Sequence, residues 1–201
     1  MLNPRMATKI EPETKPKRYV FVLLEDFTLL SFASAVESLR IANRMSGRES
    51  YQWRIIGEGG EEVRCSAGSV FKVDGDLDEV SRDDTIMICG GINIQQFTTK
   101  KLLGWLRREA RKGLPVAGLC TAAFTLAKAG LLDGKRATIH WENHDSFAEE
   151  FLEVELTKSV FVVDGNRLTT AGGTSSIDLM LKLIADDLGE DLANAVADQL
   201  I

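Results

Sequence analysis

One cysteine stands where chemistry can use it. Cys120 follows the apolar run Pro115-Val-Ala-Gly-Leu119 and precedes Thr121-Ala-Ala-Phe-Thr-Leu-Ala-Lys-Ala129, so it falls on the turn from a buried strand into a helix. A residue on so sharp a turn is pushed out over the edge of the sheet. Small neighbours, here Gly118, Ala122 and Ala123, are what the close approach of strand and helix demands. The first turn of the helix would favour a thiolate through its dipole and free N–H groups. A small buried cysteine at a packing point fits the same pattern, and the elbow alone does not separate the two.

Other residues can be gathered around it. Gly90-Gly91 ends the apolar strand Thr85-Ile-Met-Ile-Cys89 and should share the carboxyl edge with Cys120, where open α/β sheets bind ligands. Glycine N–H groups there can cradle an anionic oxygen, or they mark a simple tight turn. His140 follows the elbow by twenty residues and can return to the same edge. His140, Glu142 and His144 lie in the order His-x-Glu-x-His, with no third ligand type at metal spacing, so no metal is expected. Thr174, after Gly172-Gly173, precedes a helical run that can hold an anion or simply be capped by it. No Walker motif and no G-x-G-x-x-G after a strand is present, so no nucleotide and no cofactor is expected.

The elements that must position these residues alternate. Tyr19–Leu24, Tyr51–Gly57, Thr85–Cys89 and Pro115–Leu119 read as short buried strands. Helical spacing falls between and after them, at 31–45, 102–110, 121–129, 177–184 and from Leu192 onward, with a short helix near 143–151. Residues 60–80 read as a hairpin and irregular chain. Val160–Val163 and Arg167–Thr170 flank the turn Asp164-Gly165-Asn166. Strand–helix alternation predicts an α/β fold with a mostly parallel sheet covered on both faces. Residues 1–17 are polar, hold three of the four prolines and are expected to form a loose arm, leaving 18–201 as one domain. Ile201 falls inside a helical pattern, so the chain is expected to be cut from a longer protein, a natural docked helix being the alternative.

Composition narrows the function. The net charge of −6 argues against direct contact with DNA by this chain. Three widely spaced cysteines (Cys65, Cys89, Cys120) form neither a zinc pattern nor a disulfide framework, which suits a reducing, cytoplasmic setting. No apolar run is long enough for a membrane span, so no membrane partner is expected. The basic face of the 102–110 helix (Lys100, Lys101, Arg107, Arg108, Arg111) reads as a solvated surface before it reads as a docking site.

Three stretches carry a family resemblance. Gly118–Gly134, Ala137-Thr-Ile-His-Trp141 and Asp164–Gly173 resemble the class I glutamine amidotransferase-like (GATase1-like) superfamily, and more narrowly the N-terminal domain of AraC-type transcriptional regulators. Phe27–Asn43 matches the first loop and helix of that domain, and Asp191–Ile201 is similar to the stretch before its helix-turn-helix DNA-binding half. The resemblance implies a flavodoxin-like three-layer α/β/α sandwich with Cys120 at a nucleophile elbow. It implies a homodimeric sensor domain for a small metabolite, touching DNA only through a C-terminal domain that is absent here. The wording leans toward regulators of betaine and carnitine catabolism, hence toward a quaternary ammonium or amino acid effector. A pocket lined by Ser31, Gly90, Gly91, Cys120, Thr121, His140, Trp141 and Thr174 is expected. Phe27, Phe32 and Trp141 are candidates for cation–π contact with a methylated nitrogen, though each of them reads as plain core before it reads as a ligand contact. The superfamily also holds enzymes such as isonitrile hydratases, in which Cys120 and His140 would be the reacting pair. Those enzymes carry a carboxylate in the first loop. The matching position here is Ser31, which cannot serve as a carboxylic acid, so no catalytic residue is expected.

Overall fold

Alternation along the first strand sets the architecture. In the computed structural model, which describes residues 15–201, β1 (Lys17–Leu23) buries Tyr19, Phe21 and Leu23 in one core cluster and Val20 and Val22 in another. A side-chain period of two buried on both faces is the mark of a strand inside a covered parallel sheet. Each buried aliphatic or aromatic side chain contributes roughly 1.5–3 kcal/mol.

The sheet adds β2 (Tyr51–Gly57), β5 (Asp84–Cys89), β6 (Val116–Leu119), β9 (Phe161–Asp164) and β10 (Arg167–Thr170) in the order β2-β1-β5-β6-β10-β9. All neighbours run parallel except β9, which returns antiparallel to β10 through the Gly165-Asn166 turn. One face is covered by α1 (Leu29–Ser46), α6 (Ser175–Leu188) and α7 (Glu190–Gln199), through Phe32, Leu39, Leu179, Ile184 and Val196. The other is covered by α3 (Lys100–Ala110), α4 (Ala123–Lys128) and α5 (His144–Glu150), through Leu102, Leu106, Phe124 and Phe147. The three-layer α/β/α sandwich follows. Among the described residues, no helix is long and apolar enough to cross a membrane.

Several boundaries differ from the sequence reading. Residues 1–14 of the expected arm lie outside the described residues, and Lys17 already pairs with Tyr51. The 60–80 segment holds the small hairpin of β3 (Glu62–Arg64) and β4 (Val70–Lys72). The helix expected from Thr121 opens as a 3₁₀ turn over Cys120–Ala122 before α4. The last helix stops at Gln199, short of Ile201. Three short elements carried no periodic signal: α2 (Ile94–Phe97) and the two-residue parallel pair β7 (Arg136–Ala137) and β8 (Glu155–Leu156).

Register brings the candidate residues together. Leu23 pairs with Cys89, and Cys89 with Leu119, so β1, β5 and β6 end side by side. Cys120 is the next residue beyond that edge.

Candidate functional site

The elbow is built by close approach. Cys120 takes a left-handed backbone with φ 62°. Such a conformation costs a non-glycine residue of order 1 kcal/mol and persists only where surroundings impose it. Below it, a Cβ on Gly118 would lie 2.9 Å from the backbone of Ala122 and Ala123, so only glycine lets the turn fold back over β6. The Cys120 N–H donates to Thr170 Oγ1 (3.2 Å), and its carbonyl accepts from the His140 N–H (3.4 Å). Thr121 Oγ1 donates to the Gly91 carbonyl at 2.8 Å, tying the elbow to the loop after β5.

The sulfur sits among hydroxyls and backbone N–H groups. Thr28 Oγ1 lies 3.4 Å from Cys120 Sγ, and the Ser31 hydroxyl and the Thr121 and Gly173 N–H groups also act on it. Burial pushes the thiol above its ordinary value, outweighing these four groups, which would favour the thiolate. Burial thus opposes the thiolate that the helix dipole would favour. Cys89 and Cys65 are also free and buried, and burial together with the neighbouring Cys120 pushes the Cys89 thiol up.

His140 reaches the same edge without bonding the sulfur. Gly172 (φ 93°) lies between them: a Cβ there would stand 2.8 Å from Cys120 Sγ and 2.9 Å from His140 Cδ2. Among the described residues no hydrogen bond joins Sγ to the imidazole. The acidic neighbour of His140 is Glu142, with Oε2 3.6 Å from Nδ1. His144, by contrast, sits at the start of α5 with Nε2 buried and unpartnered, and does not line the cavity. Among the described residues, no three His, Cys, Asp or Glu side chains converge.

A cavity of about 360 Å³ opens over the elbow, lined by Thr28, Gly91 through Gln95, Cys120, Thr121, His140, Glu142 and Asn143. Of the residues expected there, Gly91, Cys120, Thr121 and His140 line it. Ser31 is buried beside the sulfur, where its hydroxyl also donates to the Gly173 carbonyl at 3.4 Å. Gly90 lies beneath, its N–H donating to the Leu119 carbonyl and its carbonyl accepting from Thr28, so its N–H is not free for an anion. Thr174 is exposed and makes no side-chain cap, and Trp141 is 74% exposed outside the cavity. Phe27 and Phe32 pack edge-on against each other and Phe71, with centroids 5.5–5.8 Å apart, so they are core and not a cage for a cation.

The residues missed are Thr28, Ile92, Asn93, Ile94, Gln95 and Asn143, together with Glu142 in this setting. A polar run after Gly90-Gly91 and a threonine at the head of α1 were the available signals. Asn93 takes φ 59°, a conformation asparagine adopts more readily than most residues.

This fold and elbow have relatives. The DJ-1/PfpI family model matches residues 17–186. The chain belongs to the DJ-1/PfpI family. It is similar to the HTH-type transcriptional regulator GbdR of Pseudomonas aeruginosa, 38% identical over 97% of this chain and 53% of that protein. The chain thus spans about half the length of that relative. It is similar to the crystal structure of an AraC family transcriptional regulator from Pseudomonas putida, with a TM-score of 0.82 at 29% identity, covering 92% of this chain and 100% of that one. An isonitrile hydratase of Pseudomonas putida is 34% identical over 69% of this chain and 60% of that enzyme, so the family also includes enzymes.

Proposed function

We propose that this chain is the effector-sensing domain of an AraC-type regulator, binding a small metabolite at the Cys120 cavity without turning it over. The observation that carries the reading is the buried thiol, faced from α1 by the Ser31 hydroxyl and hydrogen-bonded to Thr28 and not to His140. A nucleophilic cysteine needs a base or a lowered pKa; burial pushes this one's pKa up, and among the described residues no hydrogen bond joins its sulfur to an imidazole. The likeness to GbdR and to the AraC family structure supports a regulatory role. In this reading the domain works in the cytoplasm as a homodimer, and DNA contact falls to a separate domain of a longer protein.

The effector class is tested by thermal shift with glycine betaine, carnitine, dimethylglycine and arginine. Saturable stabilisation by one of them is expected, since a ligand at 100 times its Kd adds about 2.7 kcal/mol. Stabilisation by none of the four sinks this effector class. A second reading, a cysteine-dependent enzyme akin to isonitrile hydratases, is favoured by the strained elbow itself. Turnover of a small carbon–nitrogen substrate that disappears in Cys120→Ser would establish it and displace the first.

A further inference from the structure

Among the described residues, those lining the cavity over the elbow carry one carboxylate and no basic side chain other than a histidine. Its lining is hydroxyl (Thr28, Thr121), amide (Asn93, Gln95, Asn143), thiol and backbone, with Ile92 and Ile94 as apolar wall. Among the described residues, Glu142 is the only acidic one lining it, and no lysine or arginine does so. A second carboxylate stands behind the rim, where Asp26 Oδ2 accepts from Asn93 Nδ2 at 3.2 Å. The side chain of Glu142 is two-thirds exposed, and its one ion-pair neighbour among the described residues is His140.

We propose that Glu142 sets the charge preference of this cavity, admitting effectors that present a cationic nitrogen and turning away net anions. This rests on reading the cavity as the effector site. The chemistry is Coulombic. A carboxylate at the mouth of a partly desolvated pocket attracts a cation and repels an anion more strongly than it would in bulk water. The aromatic cage that a methylated cation often uses is unavailable, because Phe27 and Phe32 are sealed in the core and Trp141 points outside the cavity. Charge recognition therefore falls to Glu142.

The test uses three probes of matched shape: choline, its neutral carbon isostere 3,3-dimethylbutan-1-ol, and the anion 3,3-dimethylbutanoate. Their binding to the 201-residue chain is measured by titration calorimetry at pH 8 and low salt. Binding is located by protection of Cys120 from alkylation, read residue by residue by mass spectrometry. Choline is expected to bind about fivefold more tightly than the neutral isostere, with the anion weakest, and 0.5 M salt should erode the difference. In Glu142→Gln, an exposed substitution, the choline preference should fall to near one while the neutral probe binds as before. Equal binding of choline and its isostere to the wild type overturns the proposal, as does a preference that survives in Glu142→Gln. In either case the cavity still binds, and its reading as an effector site stands. Absence of binding and protection by all three probes overturns the proposal and that reading together.

Discussion

The amino edge of the sheet holds a cavity of about 470 Å³, larger than the 360 Å³ cavity at Cys120. Size does not distinguish the two; what their groups are committed to does. At the amino edge the charges meet partners. Arg18 pairs with the buried Asp84 at 2.8 Å, Arg54 donates to the Glu79 carbonyl, and Asp187 at the end of α6 takes both Lys17 and the Tyr51 hydroxyl. At the carboxyl edge Cys120, Asn93 and Asp26, the three non-glycine residues with positive φ among those described, crowd into the loops around one cavity. One end of the sheet is fastened by ion pairs. The other is held open under strain, which is where binding and switching residues tend to gather.

The largest effect should come from forcing the strained edge. A Cβ on Gly91 would lie 2.0 Å from the Asp26 carbonyl oxygen and 2.7 Å from the Thr28 nitrogen. Backbone cannot yield as a flexible side chain does, so Gly91→Ala should cost roughly 3 kcal/mol in urea unfolding. It should also move Thr28 off the sulfur and so shift the alkylation of Cys120 to higher pH. A loss below about 1 kcal/mol would mean that the loop is not clamped as the comparison requires.

The fastened edge should respond more mildly and without reaching the cavity. Asp187→Asn removes a carboxylate that serves Lys17 and Tyr51, at an expected cost of about 1.5 kcal/mol. Burial first, then Asp187, hold the Tyr19 and Tyr51 phenols above their ordinary value of 10.0. The folded chain therefore keeps protons that the unfolded chain releases. That contribution is complete below pH 10 and is lost as pH rises toward the folded values. Thermal unfolding scanned from pH 8 to 11 should show stability falling past pH 10, less steeply in Tyr51→Phe. Cys120 alkylation should be the same in Asp187→Asn as in the wild type. A change there would join the two edges and undo the contrast.

Much of this was legible in the residues. The continuous apolar run Tyr19–Leu24 and the run before Cys120 reported the sheet and the elbow, because burial on both faces leaves a continuous apolar signature. The cavity wall was less legible. Thr28, Asn93, Gln95 and Asn143 come from three separate segments whose convergence depends on register, and no local pattern announces it. Phe27 and Phe32 stayed open between ligand contact and plain core for a related reason. An aromatic beside a candidate pocket can read as a ligand contact until packing with Phe71 fills its faces. Ser31 was read as the residue standing in for an acid, and it lies at the sulfur. That the Gly173 N–H joins it there could be known only from the fold.

The mildest perturbation bears directly on what the strained edge does with its sulfur. Burial raises the Cys120 thiol above the ordinary 9.0, and the Thr28 hydroxyl pulls the other way. The rate of alkylation by iodoacetamide should therefore climb with pH through an inflection above 9.0. Thr28→Val removes one of the groups that favour the thiolate and should shift that inflection to still higher pH. Its stability cost should stay near 1 kcal/mol, the typical net worth of one hydrogen bond. The two shifts have the same sign because both leave the charged sulfur less solvated. An inflection below pH 8 in the wild type would mean that the elbow's N–H groups, and not burial, govern the sulfur. The carboxyl edge would then be poised to react, and the enzyme reading would take precedence over the sensor.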